Sequence, residues 1–414
     1  MLKNGFKTVV IPINVSDYKD KLNSRKSFKS YLDQTIEQYP ELFPIEIESG
    51  YDFQGWSSAF YKMPIKRRII QLKKTRSKFL IHPCFILPYL SGNTIEISKG
   101  LRLRKDNVSY DTIAQTFGRN AMFWYRLEMS LARNNIVATT VRSASKMPKH
   151  ILVDEHHNRL NGEKIYICTT VAADCFLGAE ITPGVSSEEL KEAYQVFQSE
   201  SVMRFSDYKV LTINIDGFKS TTKAIKQIHP RAVAITCFLH ACLKIQTNLK
   251  RDNQAIADVI LNKAWHCYRA ENKQIFAQRI RRFQEMAEQC LLDGNLKESI
   301  LKLCSKKDLY IKAYDFQNCH RTSNMLDRLM KFQNRRLDNT QHFRGNLTSA
   351  NNAMRAHALL VNFCPYSTNT IIANGGITSP FEKLNGFKYR ENWLENLLVA
   401  SSLNGYHINE INSR

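Results

Sequence analysis

Acidic residues are scarce in this chain: 38 Asp and Glu stand against 59 Lys and Arg, a net charge of +21 over 414 residues. Such a deficit points to a polyanionic partner, most simply nucleic acid; an ordinary basic soluble protein is the plainer alternative. Ten cysteines are scattered without a framework and no Cys-x-x-Cys occurs, which argues for a reduced, intracellular compartment. The first residues, Met-Leu-Lys-Asn-Gly-Phe-Lys, lack the apolar core of a secretory signal. The longest uncharged stretch, Phe79 to Ile95, contains Pro83, Pro88 and Gly92 and falls short of the ~20 apolar residues that cross a bilayer. We therefore expect a soluble protein with no membrane partner. No Gly-x-x-x-x-Gly-Lys-Ser/Thr loop is present, so ATP-driven chemistry has no support. Repeats and low-complexity tracts are absent too.

Apolar residues make up 43% of the chain, enough for real cores, and its length favours more than one domain. Residues 1–94 form a basic N-terminal region. Lys62, Lys66, Arg67, Arg68, Lys73, Lys74, Arg76 and Lys78 fall there in one acid-free window flanked by Tyr61 and Phe79. The window suits either a phosphate-tracking surface or the solvated face of a helix. Residues 95–145 read as helical. Ser109 caps a helix over 110–117, Gly118 turns the chain, and a second helix runs from about Asn120 to Arg133. That is a helix-turn-helix pattern, with Arg119, Asn120, Arg126 and Arg133 placed to contact DNA. Trp124 and Tyr125 read as core.

Residues 146–240 change to a strand rhythm. Strands are expected at 150–154, 164–172, 175–181, 208–216 and 231–238, with a turn at Asn161-Gly162. Helices are expected at 188–200, capped by Ser187, and at 218–228. Three strands, helix, strand, helix, strand is the order of an RNase H-like mixed five-stranded sheet. Residues 241–315 read as a mildly basic helical insertion. Residues 316–370 return to the core, with a helix over 323–337 that buries Met325, Leu329 and Phe332. Met354, Ala358, Leu359 and Val361 pack from a following helix. Residues 371–414 form a tail that docks through Phe381, Phe387, Trp393 and Leu397.

Three aspartates stand out in that frame. Asp154 ends the first apolar strand, Asp216 ends the fourth, and Asp327 lies on the helix over 323–337. Carboxylates fixed on neighbouring strands and a packed helix can share hard divalent cations. Two such ions stabilise both the attacking and the leaving oxygen at phosphorus. Glu155 points away from Asp154 if the strand continues. Asp308 and Asp315 are alternative third acids. His156, His157, Cys237 and His240 also suggest zinc, but adjacent histidines on a strand diverge. Arg328, Lys331, Arg335 and Arg336 flank Asp327, as DNA contacts or as a plain solvated face.

Four motifs resemble the DDE/DDD transposases of prokaryotic insertion sequences, particularly the Mutator-like branch. They are Val153-Asp154-Glu155, Asn214-Ile215-Asp216-Gly217, Cys237-Phe238-Leu239-His240 and Thr322-Ser323-Asn324-Met325-Leu326-Asp327. The third matches that branch's Cys-x-x-His signature, and the fourth is similar to its TNxxE helix with aspartate in place of glutamate. The resemblance spans roughly 150–365. It implies a metal-dependent transposase with Asp154, Asp216 and Asp327 as ligands to two Mg2+ (or Mn2+) ions. Cys237, His240 and Asn324 would support them, and Arg328, Lys331 and Arg335 would hold DNA. It further implies terminal inverted repeats and target DNA as partners, homo-oligomers on DNA, and a nucleoid-associated place in the cytoplasm. A nuclease of the same fold and a domesticated, inactive DNA-binding protein are the alternatives.

Overall fold

The computed structural model describes residues 7–57, 65–88, 92–249, 254–290, 294–340 and 342–406. Within them lie two mixed sheets, of four and five strands, surrounded by helices. The first sheet falls in the region whose sequence carried no strand signal. Strand β1 (Thr8–Ile11) precedes helices α1 (Val15–Leu22) and α2 (Arg25–Gln38). Strands β2 (Tyr51–Ser57), β3 (Arg67–Leu72) and β4 (Lys78–Pro83) complete the order β1-β4-β3-β2, with β1 parallel to β4 and the other pairs antiparallel. The basic window is thus no helical face. Arg67 and Arg68 are buried in β3, and the Arg68 guanidinium lies 3.7 Å from the Trp56 ring centroid. Lys66, Lys73, Lys74, Arg76 and Lys78 are exposed, whereas Tyr61 and Lys62 lie outside the described residues.

Helix α3 (Thr94–Lys105) leads into the expected helical pair, α4 (Tyr110–Phe117) and α5 (Ala121–Leu131), followed by α6 (Ile136–Thr140). Ser109 Oγ accepts from Thr112 N at 3.1 Å, and Asn120 Oδ1 accepts from Phe123 N at 2.7 Å, so each helix starts where its cap residue stands. Trp124 is buried against Gly100 of α3, where a Cβ would come within 2.5 Å of its ring; only glycine permits that approach.

The second sheet comprises β5 (His150–Leu160), β6 (Glu163–Ala172), β7 (Cys175–Thr182), β8 (Thr212–Ile215) and β9 (Val233–Thr236), in the order β7-β6-β5-β8-β9. The first three strands are antiparallel neighbours, and β5-β8 and β8-β9 are parallel. Helices α7 (Ser187–Arg204) and α8 (Lys219–Ile228) supply the crossovers. Boundaries differ from expectation in ways that matter. Strand β5 continues well past Asp154, held to Leu160 by its antiparallel partner β6. Strand β8 begins four residues later than expected and stops before Asp216. Ser186, not Ser187, caps α7, in a reciprocal pair with Glu189.

Helices α9 (Phe238–Leu249), α10 (Gln254–Tyr268), α11 (Lys273–Gln289), α12 (Gly294–Ser305) and α13 (Lys307–Tyr310) occupy the expected insertion and bury their own core, including Ile245, Phe276, Phe283 and Ile300. Then come α14 (Asn324–Thr340), α15 (Leu347–Phe363), α16 (Thr368–Ala373), α17 (Pro380–Asn385) and α18 (Trp393–Ala400). The buried stripe of α14 is Leu326, Leu329, Met330, Gln333 and Leu337; the expected Met325 and Phe332 are only partly buried. Helix α15 buries Met354, Ala358, Leu359 and Val361, and Asn362 exchanges two 2.8 Å hydrogen bonds with the Phe176 backbone of β7. The tail docks: Phe381 and Leu397 are fully buried and Trp393 nearly so, while Phe387 stays more exposed. Ser402 Oγ accepts from Val10 N at 3.1 Å and donates to Leu42 O at 2.6 Å, tying the tail to the first sheet.

Candidate functional site

The three aspartates approach one another at one end of the second sheet. The parallel ladder between β5 and β8 ends at Leu152 opposite Asn214, so Asp154 and Asp216 each stand two residues beyond it. Gly217, at φ +96°, turns the chain immediately after Asp216, and Asp216 Oδ1 accepts from Phe218 N at 2.7 Å. Asp154 Oδ1 accepts from Glu155 N at 2.8 Å.

Asp327 arrives on α14, whose start is sewn to the sheet. Asn214 Nδ2 of β8 donates to His320 O at 2.9 Å, and Phe238 N donates to Arg321 O at 3.1 Å. Cys237 N donates to Ile215 O at 2.8 Å, and the Cys237 sulfur accepts from Ser323 N at 3.2 Å. Ser323 Oγ then donates to Asp327 Oδ2 at 2.8 Å. The Cys-x-x-His segment therefore has an architectural task at this point: its cysteine links the end of β9 to the hydroxyl that orients the third acid.

The electrostatics reflect this crowding. Burial, then the neighbouring Asp216 and more weakly Asp327, raise the Asp154 carboxyl to about 6, against the opposing Glu155 N–H and His240. His240 is raised to about 9, chiefly by its hydrogen bond with Cys237, with Asp154 and Asp327 adding to the effect. Burial pushes the Cys237 thiol up, but its hydrogen bonds with His240 and Ser323 outweigh this and leave it lowered. Glu155 faces α7 and α8, not solvent. It accepts from Tyr194 Oη at 2.6 Å and Thr221 Oγ1 at 2.9 Å, and burial raises it to about 7.

Among the described residues, no three His, Cys, Asp or Glu side chains stand close enough together to hold an ion outright. The donors of the aspartate cluster are all carboxylate oxygens, and Asp154 carries like-charge strain, a chemistry that suits a hard divalent cation. The zinc reading gains nothing: His156 and His157 stack on each other along the outer half of β5, 5.9 Å between ring centroids. Neither alternative acid joins the cluster, for Asp315 pairs with Lys273 and Asp308 with Lys307.

The remaining predicted residues are spread out. Arg328 pairs with Asp174, while Asn324, Lys331 and Arg335 are exposed on α14. Arg336 is not a surface cation at all; it is buried and bonded to Glu128 at 2.6 Å. Arg119, Asn120, Arg126 and Arg133 are exposed, with Arg119 over the Phe123 ring and Asn120 engaged as a cap. Helix α5 leaves only Met122 and Arg126 fully exposed, a narrow face for reading a groove. Sequence reasoning missed Glu128, an acid in the apolar stripe with Trp124, Leu127 and Leu131, whose position was its signal. It also missed Lys219, Lys223 and Lys226, which helical spacing could have flagged.

The chain matches no protein-family model and no curated protein. Among the described residues, no helix is long and apolar enough to cross a membrane.

Proposed function

We propose that the chain is a DNA transposase with an RNase H-like catalytic domain. It binds the ends of a mobile element, hydrolyses a phosphodiester there, and joins the freed 3′-hydroxyl to target DNA. The observation that carries this reading is the gathering of Asp154, Asp216 and Asp327 from β5, the turn after β8, and α14, around a sheet ordered β7-β6-β5-β8-β9. In this reading the three carboxylates hold two Mg2+ or Mn2+ ions. When bound, such ions lower the pKa of an attacking water and offset charge on the leaving oxygen.

The chain's own residues do the rest. Ser323 fixes the orientation of Asp327, and Cys237 fixes Ser323. His240 places positive charge beside the acids. Lys331 and Arg335 lie exposed on the helix that bears Asp327, available to incoming phosphates. Aspartate in place of the resembled family's glutamate is a methylene shorter, and the ties between β9 and the start of α14 favour the closer approach this requires. Joining two ends calls for a homo-oligomer on DNA.

The test is cleavage and strand transfer on labelled element ends with magnesium. Asp154→Asn, Asp216→Asn and Asp327→Asn should each lose both products while still binding DNA. Wild-type turnover in any one of them overturns the assignment. Cleavage without joined product in the wild type would favour a nuclease.

A further inference from the structure

A groove of about 450 Å3 opens beside Asp216, lined by Gly217, Lys219, Thr222, Lys223, Lys226 and Gln227. It has no acidic lining residue. Its three lysines recur at helical spacing, so they share one exposed face of α8 over about 10 Å of axis. The opposite face is committed elsewhere: Thr221, Ala224 and Ile225 are buried, and Thr221 bonds Glu155.

Helix stability accounts for Lys226, in the last turn of α8, but not for the other two lysines. Lys219 is the first residue of α8 and Lys223 the fifth, near the end where the helix dipole disfavours cations, and no acid in the first turn offsets them. Among the described residues, none of the three belongs to an ion pair. A concave, uncompensated cationic face attracts an anionic occupant, and a polyanion suits a chain of net charge +21. Exposed Phe218 stands where the groove meets the Asp216 turn, a platform for an unpaired base.

We propose that this groove holds the phosphodiester backbone of the DNA strand adjoining the carboxylate cluster, with Lys219, Lys223 and Lys226 as its phosphate contacts. This deepens the function proposed above and rests on it. It also gives DNA a contact on α8, an element other than the α4-α5 pair.

The experiment measures binding of full-length protein to fluorescent DNA across a salt series without divalent ions. Wild type, Asp154→Asn and Lys219→Ala/Lys223→Ala/Lys226→Ala are compared, with an RNA oligomer of the same sequence in parallel. Each phosphate contact contributes ~0.9 to the slope of log affinity against log salt, so the triple variant should be shallower by about 2–3. Asp154→Asn removes a negative charge and no phosphate contact, so its slope should not become shallower. The lysines are exposed and two of them oppose the helix dipole, so the thermal midpoint of the triple variant should not fall below wild type. An unchanged DNA slope in the triple variant overturns the groove assignment and leaves the transposase reading intact, as does a shift seen with RNA alone. Cleavage surviving in Asp154→Asn in the magnesium assay above, beside a shallower triple-variant slope here, overturns the transposase reading and leaves the groove standing as a DNA site. Absence of DNA binding by the wild type overturns both.

Discussion

Two acids in this fold, Glu128 fully buried and Asp154 partly so, live under opposite electrostatic conditions. Glu128 of α5 is wrapped by the protein's own cations: Arg104 at 2.8 Å and Arg336 at 2.6 Å, with Tyr110 Oη donating at 2.7 Å. Burial alone would raise its pKa, but Arg336 and Arg104 outweigh burial and bring it to about 2. Asp154 sits among other acids and rises to about 6, opposed only by a backbone N–H and His240. The first acid is neutralised from within; the second carries charge the chain leaves largely uncompensated. Structural ion clusters close on themselves, whereas a site that takes up cations must remain short of them. Glu128 also joins the two regions, since Arg336 lies on the helix that carries Asp327.

The sharpest way to break this comparison is Glu128→Ala, which strands two buried guanidinium groups. Losing one side of a buried pair costs about 3–5 kcal/mol, so the urea midpoint at pH 7 should fall by the equivalent. A loss below about 1 kcal/mol would mean that water reaches the cluster, and the contrast with Asp154 would dissolve.

The same contrast explains what was legible in the sequence. The second sheet announced itself because its signals are local: β-branched alternation in β6, and Asn161-Gly162, whose backbones adopt φ 53° and φ 92° as a tight hairpin demands. The true length of β5 was hidden because His156 to Arg159 have little strand character; pairing with β6 makes them a strand. The first sheet was hidden for a related reason. Strand β1 has four residues and its partner β4 lies some seventy positions away, so nothing nearby marks either as a pair. Arg67 and Arg68 read as solvent-facing charge, yet their stems are buried and the Arg68 head lies on Trp56. At the site, the aspartates were visible as acids following apolar runs and on an amphipathic helix, although Asp154 lies within β5 and only Asp216 follows a strand end. The tie from Cys237 through Ser323 to Asp327 was not, because it joins positions 86 apart.

A second prediction concerns Asp154 alone. A carboxyl raised from 3.8 to about 6 on folding contributes stability below its ordinary pKa and loses it as pH rises through about 6. Asp154→Asn should therefore stabilise the protein by on the order of 1–3 kcal/mol at pH 7 to 8 without divalent ions, and hardly change it near pH 3. Thermal melts across that range decide the matter. Glu128 has the reverse sign: its stabilisation is complete above about 4.5 and fades as pH falls toward about 2. If Asp154→Asn were destabilising at pH 8, the cluster would be compensated after all.

The smallest expected effect lies in the tie itself. Ser323 Oγ donates to Asp327 Oδ2 at 2.8 Å while its backbone N–H is held by the Cys237 sulfur. Ser323 is buried and Asp327 only partly so, which places the pair's worth near an ordinary hydrogen bond, about 0.5–1.5 kcal/mol. Ser323→Ala would remove that bond and leave Asp327 able to turn toward water. A double-mutant cycle with Asp327→Ala separates this from any general loss of packing, because only the coupling energy reports the bond. A coupling of about 0.5–1.5 kcal/mol would make Ser323 a positioning residue for the third acid. A coupling near zero would reduce it to the residue that precedes a helix, and the acids would then be gathered by backbone alone, unlike Glu128, whose partners are all side chains.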